Sequence, residues 1–309
     1  MQLIRDNPGR QLLRSSVVTI GNFDGLHLGH QALIRRSRSL SGGERPVVVL
    51  TFEPPPQTWF GPECAPARLM SVRQKLDSLT NAGVDLVWLM RFNRVLAEMS
   101  AEEFLQAAVV EVLAPDVVVV GDDFRFGKDR QGNIDTLRRA GNKHGFELST
   151  VATQEVDGQR VSSSVIRACL AAGDLGQAAC FLNRPFRMEG KVFRGRQLGR
   201  QLGFPTANLR LAVAPSPVAG IFAVKARWTD SGWRDGVANL GTRPAVGGGS
   251  FLVEVHLFDF NGDLYGQRLE VEFVKKLRDE ANFAAIDDLV VQMREDERQA
   301  RQALNYLQA

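Results

Sequence analysis

Residues 21–30 read GNFDGLHLGH, directly after the apolar run VVTI at 17–20 and directly before a stretch of helical character over residues 30–39. A strand that turns through glycines into a helix is the strand–turn–helix unit of α/β nucleotide sites. Gly21 and Gly25 permit a tight turn and let backbone N–H groups approach a phosphate. The helix start adds partial positive charge for the same anion. His27 and His30 stand three apart across Gly29. That spacing puts both imidazoles near one helix end, as donors to phosphate oxygens during an in-line displacement.

Working outward, short β-rich runs at 17–20, 47–52, 84–90, 117–120 and 148–152 alternate with helical stretches at 30–39, 72–82, 101–113 and 134–143. Ser100 and Glu103 make a capping box for the third helix. Continuous apolar strands alternating with helices predict a parallel sheet covered on both faces, with ligands beyond the carboxyl ends of its strands. Two short helices, 164–172 and 175–182, close this half, and Asn183-Arg184-Pro185 reads as a linker. After Pro185 the pattern changes. Runs at 186–192, 221–228, 233–240, 251–260 and 267–273 are separated by Gly-rich turns, and Asn261-Gly262 is a hairpin signal. This half predicts a small antiparallel barrel, with an amphipathic helix over 286–307 packed on it.

The 309 residues suffice for two domains with separate cores. Net charge is only +3, with 35 acidic residues interspersed among 38 basic ones. The absence of a basic run argues against nucleic acid as a partner. Cys64, Cys169 and Cys180 are odd in number, far apart and form no CxxC pair, which argues against a zinc site or a disulfide framework. Reduced thiols suit the cytosol, and Cys169, in an apolar helical run, reads as packing. The N-terminal stretch carries charge and proline where a signal peptide needs an apolar core. No apolar stretch reaches the roughly 18 residues of a membrane helix. The expectation is a soluble protein with no membrane partner.

Four further strings carry chemistry. GDDFRFGKDRQG at 121–132 follows a strand. Asp122 and Asp123 end that strand, Phe124 and Phe126 flank Arg125, and Gly127 and Gly132 make the loop flexible. Such a loop suits a flat ring with a phosphate tail. VSSSVIR at 161–167 opens a helix, where Ser162, Ser163 and Ser164 offer an N-cap and hydroxyl donors with Arg167 one turn in, an anion site. GKVFRGRQLGRQLGFPTANL at 190–209 holds Gly195, Gly199 and Gly203, whose backbone amides can cover phosphates. Thr206 and Asn208 alternate by two, so on a strand both face one side, as hard oxygen ligands for Mg²⁺. This is not the GxxxxGK[ST] loop. FLVEVHLFDF at 251–260 places Glu254 and His256 on one face, and a buried Glu254 would be the stronger base.

HxGH after the first strand resembles the nucleotidylyltransferase superfamily. The longer string GNFDGLHLGH, with GDDFRFGKDRQG and VSSSVIR, is similar to the adenylyltransferase half of bacterial bifunctional riboflavin kinase/FAD synthetases. The resemblance continues through PTAN (Pro205, Thr206, Ala207, Asn208), NLGTRPA at 239–245 and LRDEANF at 277–283. It implies a Rossmann-like adenylyltransferase domain at 1–183 and a six-stranded antiparallel β-barrel kinase domain with a C-terminal helix at 184–309. The implied reactions are riboflavin to FMN and FMN to FAD, each with ATP. His27 and His30 would then act on the second reaction, with Gly21, Phe23, Asp24, Gly25 and Gly29 contacting ATP and Ser163, Ser164 and Arg167 facing its pyrophosphate. Asp123, Phe124 and Phe126 would meet the flavin. In the kinase, Gly195, Gly203, Thr206 and Asn208 would hold ATP, the last two also Mg²⁺. Glu254 would take the 5′-hydroxyl proton, and Arg278 and Phe283 would touch the flavin. The resemblance implies a cytoplasmic enzyme whose partners are riboflavin, FMN and ATP, with weak self-association at most. Two positions depart from the family: Pro55 in TFEPPP, where a His is common, so no role is carried to it, and Ala245, where Thr is usual.

Overall fold

The alternating first half forms one all-parallel sheet in the computed structural model, which describes residues 1–6, 9–61, 63, 65–195, 198–211, 216–229, 231–243 and 250–306. Cys64 and Ala245 lie outside the described residues. In chain order the elements are β1 (Gln2–Arg5), β2 (Val17–Ile20), α1 (Leu28–Ser41), β3 (Val47–Glu53), α2 (Pro56–Phe60), α3 (Val72–Asn81), β4 (Leu86–Arg91), α4 (Arg94–Glu98) and α5 (Ala101–Phe104). A π-helical run, Leu105–Leu113, continues α5, followed by β5 (Val117–Gly121), α6 (Ile134–His144), β6 (Glu147–Val151) and a small ribbon of β7 (Glu155–Val156) with β8 (Gln159–Arg160).

The sheet order is β1-β4-β3-β2-β5-β6. Both faces of the central strands are buried, as their unbroken apolar runs require. Val17, Val117 and Val119 face Leu33 and Leu40 of α1. On the opposite face Val18, Val48, Val118 and Val120 pack with Trp88, Phe104, Leu113 and Leu137. Strand order turns back at β2 and β5, which are adjacent. In open α/β sheets the ligand crevice lies outside the carboxyl ends at this switch point. The strings at 21–30 and 121–132 both start there. The edge strand β1 escaped the periodicity reading because four residues, half-exposed, show no alternation.

Internal packing divides the chain into two units, Met1–Pro66 with Val72–Ser162, and Ala67–Ser71 with Ser163–Ala309. The second unit begins with α7 (Ser163–Ala172) and α8 (Leu175–Leu182). Helix α8 packs on a barrel strand, β14. The barrel comprises β9 (Arg187–Phe193), α9 (Leu198–Gln201), β10 (Ala207–Leu211), β11 (Gly220–Arg227), β12 (Arg234–Arg243), β13 (Ser250–Leu257) and β14 (Arg268–Arg278), and α10 (Ile286–Tyr306) follows. The six strands close in the order β10-β13-β12-β11-β14-β9, all pairs antiparallel. Ala300 and Leu304 of α10 bury against Ala223 and Phe258.

The hairpin expected at Asn261-Gly262 does not form. Strand β13 pairs with β10 and β12, whereas β14 pairs with β9 and β11. Residues 258–267 therefore connect strands that are not neighbours. A two-residue type I′ turn needs positive φ at both central residues, and neither Asn261 nor Gly262 has it. Closure of the barrel decides the pairing over the local turn signal. The loop glycines also differ from expectation. A Cβ on Gly127 would lie 2.7 Å from the Ala101 backbone, and one on Gly132 would lie 2.7 Å from the Ala101 Cβ. Phe126 and Gly132 exchange two backbone bonds, at 3.1 and 2.9 Å. These glycines permit close packing of a closed loop, not flexibility.

The capping box forms as read: Glu103 N–H donates to Ser100 Oγ at 3.1 Å and Ser100 N–H donates to Glu103 Oε2 at 2.8 Å. Ser100→Ala should lower the first unit's stability by about 1 kcal/mol. Urea unfolding followed by circular dichroism measures this, and no change would mean the box carries no stability.

Candidate functional site

In the first unit, the turn after β2 is held in an unusual backbone conformation. Phe23, Gly25 and Leu26 have φ of 50°, 86° and 42°. For Phe and Leu this region is costly, on the order of 1–3 kcal/mol each, and persists only where the surroundings enforce it. Phe23 is fully buried. The Asn22 carbonyl accepts from Lys75 Nζ at 2.7 Å and from Thr51 Oγ1 at 3.2 Å. Gln31 Nε2 donates to the Leu26 carbonyl at 2.9 Å. The chain enters α1 with His27 as N-cap, making no side-chain capping bond. Ser, Thr, Asp or Asn would be the stable choice there, so the imidazole stands where helix stability does not ask for it.

His27 and His30 stack with ring centroids 3.7 Å apart and planes 22° from parallel, and Phe23 lies 5.0 Å from the His30 ring. Gly29 makes the stack possible, since a Cβ there would come within 3.2 Å of the His27 ring. Burial holds the His30 pKa well below its ordinary value of 6.5, with the neighbouring His27 and Lys75 charges adding in the same direction. Two stacked rings at the positive end of a helix cannot both carry charge cheaply. An arriving phosphate would relieve that constraint. Asp24, also in this turn, is buried.

At the neighbouring strand end, Phe124 and Phe126 stack at 5.4 Å, and Phe126 leans on Phe104 at 6.0 Å. Asp122 accepts from the Thr153 N–H at 3.1 Å and from its hydroxyl at 2.8 Å, which lowers its pKa. Asp123 pairs with Arg160 of β8. The switch point thus joins a stacked imidazole pair on one strand end to a stacked phenylalanine pair on the next.

Ser163, Ser164 and Arg167 open α7, in the second unit, and Arg167 Nε donates to the Ala67 carbonyl. Cys169 is half-buried in the same helix, and burial, followed by Asp174, raises its thiol pKa.

In the barrel, Thr206, Asn208, Glu254, His256, Arg278 and Phe283 line one cavity of about 420 Å³, a size suited to a small ligand. Strand β10 starts at Ala207, so Thr206 precedes it by one residue, yet both predicted oxygen donors reach the same space. Asn208 is buried, and Gly195 lies so close that a Cβ there would stand 2.7 Å from its carboxamide. Gly199 likewise sits against the Phe204 carbonyl, while Gly203, at φ 87°, makes the turn before Phe204. Mg²⁺ is commonly held by one or two protein oxygens together with substrate phosphates. The Thr206 hydroxyl and Asn208 carboxamide oxygens fit that donor set. Among the described residues no cluster of three or more His, Cys, Asp or Glu could form an all-protein cage.

Register explains the convergence. Glu254 on β13 stands opposite Asn208 on β10 and opposite Asn239 on β12. Asn239 in turn faces Ile221 on β11, which faces Arg278 on β14. One row of five strands thus delivers five cavity-lining residues. Arg278 is largely committed elsewhere. It makes a bidentate pair with buried Asp296 of α10, at 2.8 and 2.6 Å, and donates to the Asp279 carbonyl at 3.0 Å. Its guanidinium lies 5.9 Å from the Phe283 ring centroid.

Three residues of these sites escaped sequence reading. Lys75 is buried beneath the first loop, but a lysine in mid-helix carries no signal of that. Glu280 lines the barrel cavity, with its carboxylate against Gly241. Burial raises its pKa, and Glu254 adds to the shift. Asn239 stood inside the NLGTRPA string without an assigned role.

Comparison with known proteins shows the family of both units. A family model described as FAD synthetase matches residues 10–165, and one described as riboflavin kinase matches residues 182–304. A Haemophilus influenzae protein named bifunctional riboflavin kinase/FMN adenylyltransferase is 43% identical, over 99% of this chain and 100% of its own. Proteins of the same name from Pseudomonas fluorescens and Escherichia coli are 45% and 42% identical, each over 97% of its own length and over 97% and 98% of this chain. A crystal structure from Streptococcus pneumoniae, titled a macrolide-efflux protein, superposes with a TM-score of 0.84 at 28% identity, covering 97% of this chain and 99% of that one. Among the described residues no helix is long and apolar enough to cross a membrane.

The His30 shift has a consequence for stability. The unfolded chain takes up a proton near pH 6.5 that the folded ring refuses. Stability of the first unit is therefore complete above that pH and falls as pH drops below it. Thermal unfolding between pH 5 and 7.5 should show this fall in the wild type and a flatter profile in His30→Gln. Equal slopes would show that His30 titrates normally.

Proposed function

The chain belongs to the bifunctional riboflavin kinase/FMN adenylyltransferase family; it phosphorylates riboflavin to FMN and adenylylates FMN to FAD with ATP, and we propose that its two sites divide this work residue by residue as follows. In this reading residues 184–309 carry the kinase and residues 1–183 the adenylyl transfer.

For the kinase, the single carrying observation is that Thr206, Asn208 and Glu254 meet in one cavity, the last two in direct cross-strand register. Glu254 takes the proton of the riboflavin 5′-hydroxyl. The freed oxygen attacks the γ-phosphorus of ATP, and ADP leaves. Thr206 and Asn208 would hold Mg²⁺, which when bound neutralises charge on the phosphate oxygens. Gly195 and Gly203 shape the loop over ATP. Phe283 offers its ring to the flavin, and Arg278, fixed by Asp296, supports that wall.

For the adenylyl transfer, a phosphate oxygen of FMN attacks the α-phosphorus of a second ATP, and pyrophosphate leaves. No covalent enzyme intermediate is needed. His27 and His30 donate to the phosphate oxygens as charge builds, aided by the α1 N-terminus. Gly21, Phe23, Asp24, Gly25 and Gly29 form the turn that receives the nucleotide. Phe124 and Phe126 offer a stacked face to the flavin, with Asp123 beside them. Ser163, Ser164 and Arg167 are assigned to the pyrophosphate on the strength of the VSSSVIR string. We assign the enzyme to the cytoplasm, a reading supported by a cysteine pattern without a disulfide framework and by the need for ATP.

Two substitutions separate the activities. With riboflavin, ATP and Mg²⁺ and flavins resolved by HPLC, His30→Ala should stop FAD formation while FMN accumulates. Loss of both products from folded protein would sink the division of labour. Glu254→Gln should cut FMN formation by about 100-fold or more while added FMN is still converted to FAD. Near-normal FMN production would remove Glu254 as base.

A further inference from the structure

Asn239 is the polar residue of the barrel row for which no role has been given. Its side chain lines the cavity beside Glu254, its direct partner across the β12–β13 ladder. Its amide oxygen is buried and has no hydrogen-bond donor among the described residues. Buried carbonyl-type oxygens are nearly always paired, and one left unpaired in a residue that lines a ligand cavity calls for a donor from the ligand. Its neighbours narrow the choice. Glu254 is an acceptor when ionised, and Ile221, on the other side, is apolar. Neither supplies a donor.

The row also runs in a chemical order. Asn208, beside Thr206, lies at the nucleotide end; Glu254 follows, then Asn239, Ile221 and Arg278 with Phe283 nearby. Adjacent strands are about 4.8 Å apart. On the reading that Glu254 meets the terminal hydroxyl and Phe283 the ring system, the polyol chain of riboflavin passes Asn239 one strand beyond Glu254. That chain carries secondary hydroxyls, each an O–H donor. We propose that Asn239 is a specificity-determining residue of the kinase site, its amide oxygen accepting a hydrogen bond from one secondary hydroxyl of the ribityl chain. This inference rests on the proposed kinase reading and deepens it. A site built to pair a substrate hydroxyl discriminates strongly against an analogue lacking it, because the protein group is then left unpaired.

The test crosses the residue with the hydroxyl. Initial rates of the full-length enzyme would be measured with riboflavin and with its 2′-, 3′- and 4′-deoxy analogues, one hydroxyl removed at a time. For one analogue the wild type should lose on the order of 10- to 100-fold in kcat/KM. Asn239→Ala should lose a similar factor with riboflavin and show no further loss with that same analogue. Asn239→Leu, closer in volume, repeats the comparison if the alanine variant unfolds, with circular dichroism confirming the fold of each. Undiminished discrimination among all three analogues in the variants, or full activity of the variants with riboflavin, would overturn the proposal. Glu254→Gln separates the two readings: retained phosphorylation would refute the base assignment, while the analogue series still decides Asn239 by itself.

Discussion

Strand register is the constraint on which both sites depend. In the barrel, antiparallel pairing around a closed ring leaves no freedom to slide one strand without moving all of them. Asn208, Glu254, Asn239, Ile221 and Arg278 come from positions 208 to 278, yet stand in one row because each lies opposite the next in strand register. In the parallel sheet, the same discipline places the carboxyl ends of β2 and β5 side by side. A slip by one residue would turn Glu254 out of the cavity and exchange it for Val253 or Val255, both buried on the other face.

On that scaffold, burial does the electrostatic tuning. His30 is held neutral by desolvation and by like charge nearby, and Glu280 is pushed toward its protonated form by desolvation and by Glu254. Both shifts disfavour the charged form, and both groups belong to the candidate sites. Such perturbed groups cluster where chemistry is done. The strained turn at Phe23 and Leu26 belongs to the same pattern, with Lys75 and Thr51 fixing the carbonyl of Asn22 at its start.

Much of this was legible in the residues. The strand–turn–helix at 17–41, the capping box at Ser100 and Glu103, and the change from a helical to a two-residue period after Pro185 are local signals, carried by neighbours in sequence. His27, His30, Thr206, Asn208 and Glu254 stood in motifs whose chemistry could be argued from residue type and spacing. The misreadings were all matters of distant partners. Asn261-Gly262 looked like a hairpin turn, but β13 and β14 are kept apart by closure. Gly127 and Gly132 looked like flexible links, but Ala101 packs against both. Edge strand β1 shows no pattern until β4 pairs with it.

The sequence by itself determined the two-part architecture, the glycine-rich turns of the two candidate sites and the main catalytic candidates, because each depends on periodicity, glycine placement or a short motif. Only the tertiary structure decided which strands are neighbours, which side chains share a cavity, and which charges are buried. It was register that put Asn239 beside Glu254, and packing depth that hid Lys75 from water. Those properties depend on contacts between residues far apart in the chain, which no local pattern encodes.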